Sequence, residues 1–377
     1  MKVGVIYPYF PHYRFPIIDL LRKEDKIDYY FLGGKKPSPE FKDLKLIEFP
    51  EDKRFIFLNT KWFLKYFSLQ LNILQEIKKN NFDVVIIYGD WKFLSTWYAI
   101  LYLKFKRVPV LFWSHGFRKD KKSLNDFIKE RYFNLFDGGF VFDNRAKNVF
   151  KEKGYNKTID VVYNSLDYEK QAKVLKTIKS NSSDPNPFQN LQPYVVFSGR
   201  LTESKNLGLL IEAIGILKNQ STLINVLLIG TGIFEERLKD LSKQSNVLNQ
   251  VKFYGSCYDE SILAQAFDAA IVCVIPSAAG LSAVHALTYG CPVITDNNDI
   301  KHGPEIESVV ENVTGKFYNL GDSASLAQNI LFFLSLTAEQ RLNFKQNCIE
   351  MIGDKFNPKY QKKVFNNRII QIVKDAK

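Results

Sequence analysis

From residue 274 the chain reads Val274-Ile275-Pro276-Ser277-Ala278-Ala279-Gly280-Leu281-Ser282-Ala283-Val284-His285-Ala286-Leu287-Thr288-Tyr289-Gly290-Cys291-Pro292-Val293-Ile294-Thr295. A short apolar run enters a loop of small residues, a helix opens near Leu281, Gly290 closes it, and Pro292 begins the next apolar run. Strand, helix and strand in that order are the unit from which parallel sheets are built. The small residues at 277–280 let a ligand approach the backbone N–H groups of the helix start, which makes Ser277, Gly280 and Leu281 candidate binding positions. His285 falls one helical turn after Leu281, near the same mouth. It has a second reading as a hydrogen-bonded core residue.

The same alternation extends outward through the whole chain. Before residue 190, strand-like runs are expected at 2–7, 29–31, 84–88, 108–113, 139–142 and 159–162, with helical segments such as 16–22 and 63–79 between them. After it the pattern restarts at 194–198, 226–229, 251–254, 270–275, 292–295 and 315–317. Between the halves lies the polar, Pro-broken stretch 179–190, too poor in apolar residues to hold a packed element. The expectation is an α/β chain of two doubly wound, Rossmann-like parallel-sheet domains. They would span 1–185 and 190–355, with a C-terminal helix at 358–377 returning to the first domain. Open parallel sheets bind ligands outside the carboxyl ends of their strands, so a cleft between two such domains is the expected site.

Two further turns in the second half carry chemistry. Tyr194-Val195-Val196-Phe197-Ser198-Gly199-Arg200-Leu201-Thr202-Glu203-Ser204-Lys205 ends a strand at a glycine turn and brackets the following loop with a guanidinium and an ammonium. Converging beside helix-start N–H groups, Arg200 and Lys205 suit a diphosphate, with Gly199 opening the turn. The next strand ends in Ile229-Gly230-Thr231-Gly232, a second Gly-rich turn that makes Gly230 and Gly232 candidate ligand-binding positions, although it lacks the third glycine of a dinucleotide fingerprint.

Taken in order, Gly199-Arg200-Leu201 with Lys205-Asn206, Ile229-Gly230-Thr231-Gly232, Phe253-Tyr254-Gly255, and Pro276-Ser277 through Gly280-Leu281 to Gly290-Cys291-Pro292 resemble the donor half of the retaining glycosyltransferases of family 4, which have the GT-B fold. The resemblance is close over roughly 194–330 and loose elsewhere. It implies a nucleoside-diphosphate sugar as donor substrate, bound by the second domain, with Arg200 and Lys205 holding the diphosphate. Catalysis of that kind is electrostatic, so no cofactor and no metal are expected. Most members carry two glutamates eight positions apart where this chain has Ser277 and His285; the first normally faces the sugar and the second the ribose. A subgroup of similar bacterial enzymes shares Gly280-Leu281 followed by His285, and the resemblance implies a ribose contact for that histidine. In Lys301-His302-Gly303-Pro304-Glu305, the resemblance makes Glu305 a contact for the sugar hydroxyls.

The first half adds Tyr9-Phe10-Pro11-His12-Tyr13-Arg14-Phe15-Pro16 after its first strand, similar to the opening of the same bacterial enzymes, and places His12 and Arg14 on the acceptor side. In Phe112-Trp113-Ser114-His115-Gly116, a histidine–glycine turn follows another strand; the resemblance gives His115 the donor sugar, and Gly116 permits the tight turn. Asp90, in Tyr88-Gly89-Asp90-Trp91, either shapes an acceptor pocket or caps a helix. The reaction implied is transfer of a hexose-type sugar, with retention, to a saccharide or lipid-linked acceptor in cell-surface polysaccharide biosynthesis. On the same fold the alternatives are a nucleotide-sugar epimerase or hydrolase, which would release product from donor alone, and a non-catalytic binding subunit, which would turn over nothing.

Composition bounds these readings. The chain has 377 residues, 46% hydrophobic and 24% charged, which excludes a disordered or fibrous protein. Its net charge is +12, and 34 of the 52 Lys+Arg but only 22 of the 40 Asp+Glu precede residue 191, so the excess lies in the first half. That half either presents a merely solvated basic face or meets an anionic partner. Basic and aromatic residues mix at Lys104-Phe105-Lys106-Arg107 and Arg118-Lys119-Asp120-Lys121-Lys122 without any nucleic-acid motif, so an anionic membrane surface is the expected partner and nucleic acid is not. No apolar run reaches spanning length and the N-terminus enters a strand directly, so the expected location is cytoplasmic, with peripheral contact at the inner face of the membrane. Cys257, Cys273, Cys291 and Cys348 form no C-x-x-C pair and are expected as reduced thiols. His12, His115, His285 and His302 lack the spacing of a zinc site.

Overall fold

The structure, a computed structural model, describes residues 1–42, 44–48, 51–117, 124–180, 186–298 and 300–375. The basic stretch 118–122 lies outside the described residues. The chain forms two compact units: Met1–Tyr163 with Pro358–Lys377, and Asn164–Asn357.

In the first unit the strands are β1 (Lys2–Tyr9), β2 (Asp28–Gly34), β3 (Phe55–Phe57), β4 (Thr60–Phe63), β5 (Phe67–Gln70), β6 (Val84–Tyr88), β7 (Val110–Ser114), β8 (Gly138–Val141) and β9 (Ile159–Val161). The helices are α1 (Phe15–Arg22), α2 (Ile73–Asn80), α3 (Leu94–Phe105), α4 (Leu124–Asn134) and α5 (Asn144–Glu152). Seven strands form one sheet in the order β3-β2-β1-β6-β7-β8-β9, every pairing parallel. Because helices cover both faces, central strands such as β6 (Val-Val-Ile-Ile-Tyr) are apolar throughout instead of alternating.

The second unit opens with α6 (Tyr168–Ser180) and continues through β10 (Tyr194–Ser198), α7 (Leu207–Asn219), β11 (Asn225–Ile229), α8 (Glu235–Gln244), β12 (Val251–Gly255), α9 (Glu260–Ala269), β13 (Cys273–Ile275), α10 (Leu281–Thr288), β14 (Val293–Asp296), β15 (Gly315–Tyr318), α11 (Ser323–Ser335) and α12 (Ala338–Asp354). Its six strands are again all parallel, in the order β12-β11-β10-β13-β14-β15. In both sheets the strand order reverses beside the first strand, between β1 and β6 and between β10 and β13, as in a Rossmann sheet.

Three sequence expectations change. The division falls at Tyr163/Asn164 and not near 185, because α6 belongs with the second unit, where Gln171 Nε2 donates to Glu260 Oε1 of α9 at 3.5 Å. The expected helix 63–79 is wrong in its first half: 60–70 is the antiparallel hairpin β4–β5, and helix begins only at Ile73. The stretch from Phe67 through Ser68, Leu69 and Gln70 alternates, and 62–67 is rich in aromatics, a strand signal that the apolar content disguised. The edge strand β3 was not foreseen either.

The C-terminal helix α13 (Pro358–Asp375) is built into the first unit. Phe365 packs its ring 4.9 Å from Trp113 and 4.5 Å from Phe140, and Tyr29 Oη donates to Asn366 Oδ1 at 2.8 Å. Arg368 grips Asp160 with Nε and Nη2, at 2.5 and 3.0 Å, a two-point pairing that only guanidinium geometry supplies. Cys273, Cys291 and Cys348 are buried free thiols and Cys257 is half-buried; burial raises the pKa of the first three.

Candidate donor site in the second unit

The site forms where the sheet order reverses, from the loops that follow β10 and β13. Gly199 leaves β10 at φ +153°, in a region that side chains avoid. The glycines of Ile229-Gly230-Thr231-Gly232 serve this turn by packing: a Cβ on Gly230 would stand 1.9 Å from the Gly199 carbonyl oxygen, and one on Gly232 2.1 Å from that of Leu201. Gly230 and Gly232, expected to border the ligand, therefore have a sufficient structural reason in the close approach of two backbone turns. Gly199 N–H donates to Ile229 O at 2.9 Å and Leu201 N–H to Thr231 O at 3.0 Å, so the two loops are locked together.

Lys205 sits at the end of a short 3-10 turn (Glu203–Lys205), and its Nζ donates to the carbonyl oxygen of Ala278 at 2.5 Å, bridging the β10 and β13 loops. Burial and the nearby Arg200 guanidinium pull the Lys205 pKa below the ordinary lysine range, with Glu305 acting in the other direction. Two cations and one carboxylate thus share this corner, and Arg200 remains exposed.

The β13 loop holds an unusual backbone. Ala278 has φ +51°, a left-handed conformation for a residue with a side chain. It is held from behind: Ala279 N–H donates to His302 Nδ1 at 3.0 Å, and the opposite nitrogen, His302 Nε2, lies 2.9 Å from Asp296 O and 3.3 Å from Asp296 Oδ1. An Nδ1 that accepts leaves the proton on Nε2, so His302 holds the loop as the neutral Nε2–H tautomer. Burial would raise the Asp296 carboxyl, but His302, the Asn298 N–H and Ser277 outweigh it and hold the pKa below the ordinary value. Ser277 is itself buried behind the loop.

Gly280 is the N-cap of α10, and no side chain caps that helix. Beside it lies Glu305, 4% exposed, whose Oε1 accepts from Asn164 Nδ2 at 2.7 Å. Its Oε2 stands against the glycines: a Cβ on Gly303 would approach it to 2.4 Å and one on Gly280 to 3.8 Å. Gly280, Leu281, Lys205, Arg200 and Glu305 therefore converge on one helix start. A carboxylate, two cations and open helical amides at the carboxyl edge of a sheet can bind a hydroxylated ligand carrying an anion.

His285 lies one turn deeper. Its Nε2 is 3.0 Å from Glu260 Oε2, which also accepts from Tyr289 Oη at 2.5 Å, and its ring lies 5.4 Å from Phe267. Burial alone would raise the Glu260 pKa, yet His285, Tyr289 and Gln171 together hold it down at about 2. The expected ribose contact cannot use Nε2 without breaking this pair.

In the first unit the foreseen residues gather at the carboxyl edge of its own sheet. Arg14 is buried, its guanidinium 4.6 Å from each of the Trp113 and Phe142 rings. His115 follows β7 with its ring 4.5 Å from Phe142, and Gly116 turns at φ +61° where a Cβ would meet Phe150 at 2.6 Å. His12 is exposed, with Nδ1 3.3 Å from Lys45 O. Asp90 Oδ1 accepts from Lys92 N–H at 3.1 Å, which closes a turn before α3, and burial raises its pKa. Sequence reasoning missed Asn164, Asp296 and Glu260, and read His302 only as a loop residue. Nothing local marks the first three; the neighbouring Gly303-Pro304-Glu305 was the available signal for His302.

Residues 178–351 match the family model of the glycosyl transferases group 1. The amylovoran biosynthesis glycosyltransferase AmsK of Erwinia amylovora is 31% identical over 150 residues, 37% of this chain and 36% of its own. The chain covers 36–59% of the length of the curated relatives it matches. Among solved structures, Anabaena HepE in complex with UDP superposes with a TM-score of 0.68 at 18% identity, covering 97% of this chain and 99% of that one. The lipopolysaccharide outer core galactosyltransferase WaaB in its apo form gives 0.68 at 19%, covering 98% and 99%. The fold is GT-B.

Proposed function

We propose that the protein is a glycosyltransferase that moves a hexose-type sugar from a nucleoside-diphosphate sugar to a saccharide or lipid-linked acceptor, with retention, in cell-surface polysaccharide biosynthesis. The observation that carries this reading is the convergence of Lys205, Arg200, the uncapped start of α10 and Glu305 at the switch point of the second sheet. Lys205 and Arg200 hold the diphosphate. As the bond from the anomeric carbon to the leaving oxygen breaks, negative charge grows on that oxygen, and the two cations with the Gly280–Leu281 amides stabilise it. These charges take the part a metal would play, so the proposal includes neither a metal nor a cofactor. Glu305, desolvated beside the glycines, accepts hydrogen bonds from the sugar hydroxyls. Glu260 fixes Nε2–H of His285 as a donor, which leaves Nδ1 as an acceptor for a ribose hydroxyl. His115 supports the sugar, and His12, Arg14 and Asp90 serve the acceptor. An anionic membrane surface is the partner of the basic first unit.

The test is nucleoside diphosphate release from a panel of nucleotide sugars, with saccharide and lipid-linked acceptors. One donor should be turned over only when an acceptor is present, and Lys205→Ala should lower that rate by about 10²–10³-fold with the thermal midpoint kept. Nucleoside diphosphate release from donor alone would identify a hydrolase, conversion of the donor to its epimer without that release would identify an epimerase, and no change in any donor would identify a binding subunit.

A further inference from the structure

The hairpin β4–β5 leaves apolar side chains where no fold contact needs them. Its base is firmly set: Gln70 Nε2 donates to Tyr7 O at 2.9 Å, Gln70 N–H to Ser95 Oγ at 3.0 Å, and the Trp62 ring stands 5.8 Å from Phe93. Beyond the Phe63–Phe67 pair the chain turns through Leu64 and Lys65, both at positive φ (49° and 65°). Glycine or asparagine would satisfy that backbone without strain. Instead a leucine stands at the tip, 77% exposed, followed by Tyr66, 47% exposed.

The neighbouring α3 continues this surface. Leu94-Ser95-Thr96-Trp97-Tyr98-Ala99-Ile100-Leu101-Tyr102-Leu103-Lys104-Phe105 contains one charged residue, and a helix apolar on all sides is ordinarily buried on all sides. Here Ser95, Thr96, Ala99, Ile100 and Leu103 are buried, while Tyr98, Leu101 and Phe105, at helical spacing on the opposite face, remain exposed. Tyr98 Oη reaches Gln70 O at 3.4 Å, so the stripe begins where the hairpin is anchored.

Cations frame the patch. From residue 61 to residue 107 there are eight Lys+Arg and three Asp+Glu. Lys92 Nζ lies 5.1 Å from the Tyr66 ring and Lys78 Nζ 5.2 Å from the Tyr102 ring, so the lysines flank the aromatics. Lys65 sits at the tip, and Lys106 and Arg107 follow the end of α3. Of the three carboxylates, Asp83 accepts from Lys2 N–H and Asp90 from Lys92 N–H.

We propose that the β4–β5 tip and the Tyr98–Leu101–Phe105 face of α3 form the surface by which the first unit docks on an anionic lipid bilayer. Leucine and phenylalanine enter the acyl boundary, tyrosine stays at headgroup depth, and the lysines meet lipid phosphates. This rests on the reading of an anionic membrane as partner, and it names the surface that reading needs. A neutral protein partner would match the apolar stripe but not its ring of cations.

The experiment is co-sedimentation of the full chain with vesicles of phosphatidylcholine alone and of phosphatidylcholine with phosphatidylglycerol, comparing wild type, Leu64→Asp, Leu101→Asp and the control Leu342→Asp in the second unit. All three substituted positions are exposed, so circular dichroism and the thermal midpoint should stay unchanged. Wild type and control should bind the anionic vesicles, and each patch variant should bind roughly tenfold or more weakly. Wild type that ignores anionic vesicles at low salt overturns the membrane reading itself. Binding by wild type that Leu64→Asp and Leu101→Asp leave intact overturns only this surface. A wild-type dimer that Leu101→Asp dissociates, with no vesicle binding, would assign the patch to a second copy of the chain.

Discussion

Lys205 carries two opposed demands: the fold lowers its pKa by burial and by the Arg200 charge, while the proposed ligand needs it charged. Below its folded-state pKa the buried charge costs stability, and that cost is relieved as pH rises from there toward the ordinary lysine value. Affinity for a nucleoside diphosphate has the opposite sign: it should fall as pH rises through the lowered pKa. In Lys205→Arg this alkaline fall should disappear, because a guanidinium stays charged, and titration calorimetry across the alkaline range reads both. Glu260 is the acid counterpart. Its pKa, held at about 2, contributes stability that is complete above the ordinary glutamate value and is lost as pH falls from there through about 2. His285→Ala removes one of the groups that hold it down. The variant should lose about 1–3 kcal/mol and move the acid midpoint upward, as followed by circular dichroism; an unmoved acid limb would show that the pair contributes nothing.

At the scale of elements, glycines test the argument most cheaply. Gly230→Ala pushes a Cβ into the Gly199 carbonyl and should cost about 2–4 kcal/mol. Gly255→Ala, also at positive φ but with nothing within 4 Å, should cost only about 1 kcal/mol. Equal chemical-denaturation midpoints for the two would refute the locked-turn account. Most strands were legible because their apolar runs are bounded by glycine and charge; β6 and β10 match expectation residue for residue, and β13 starts three residues late. The hairpin was not legible because the short alternation from Phe67 to Ile73 lies inside a run, Phe63 through Lys79, that also satisfies helical spacing, and only anchoring by Gln70 and Trp62 separates the two. Among the candidate site residues, Lys205 and Gly280 could be read from their turns. Lys205's partner, the Ala278 carbonyl, and the His302–Asp296 brace are contacts across sequence that local pattern does not encode.

For the whole molecule, one sheet plan appears twice, and each copy gathers its polar residues where the strand order reverses. The copies differ in kind: the second puts two cations beside an uncapped helix start, whereas the first encloses Arg14 among rings and turns an apolar face outward beside a basic excess. The account's central claim is that the second unit binds a nucleoside diphosphate through Lys205. It is tested most directly by the thermal midpoint of wild type and Lys205→Ala against a panel of nucleoside diphosphates, since a ligand that binds only the folded state raises the midpoint. One nucleotide should raise it by about 2–4 °C or more at a hundredfold excess over its Kd, and that rise should vanish in the variant. No response to any nucleotide at saturation, or an equal rise in Lys205→Ala, would contradict the claim.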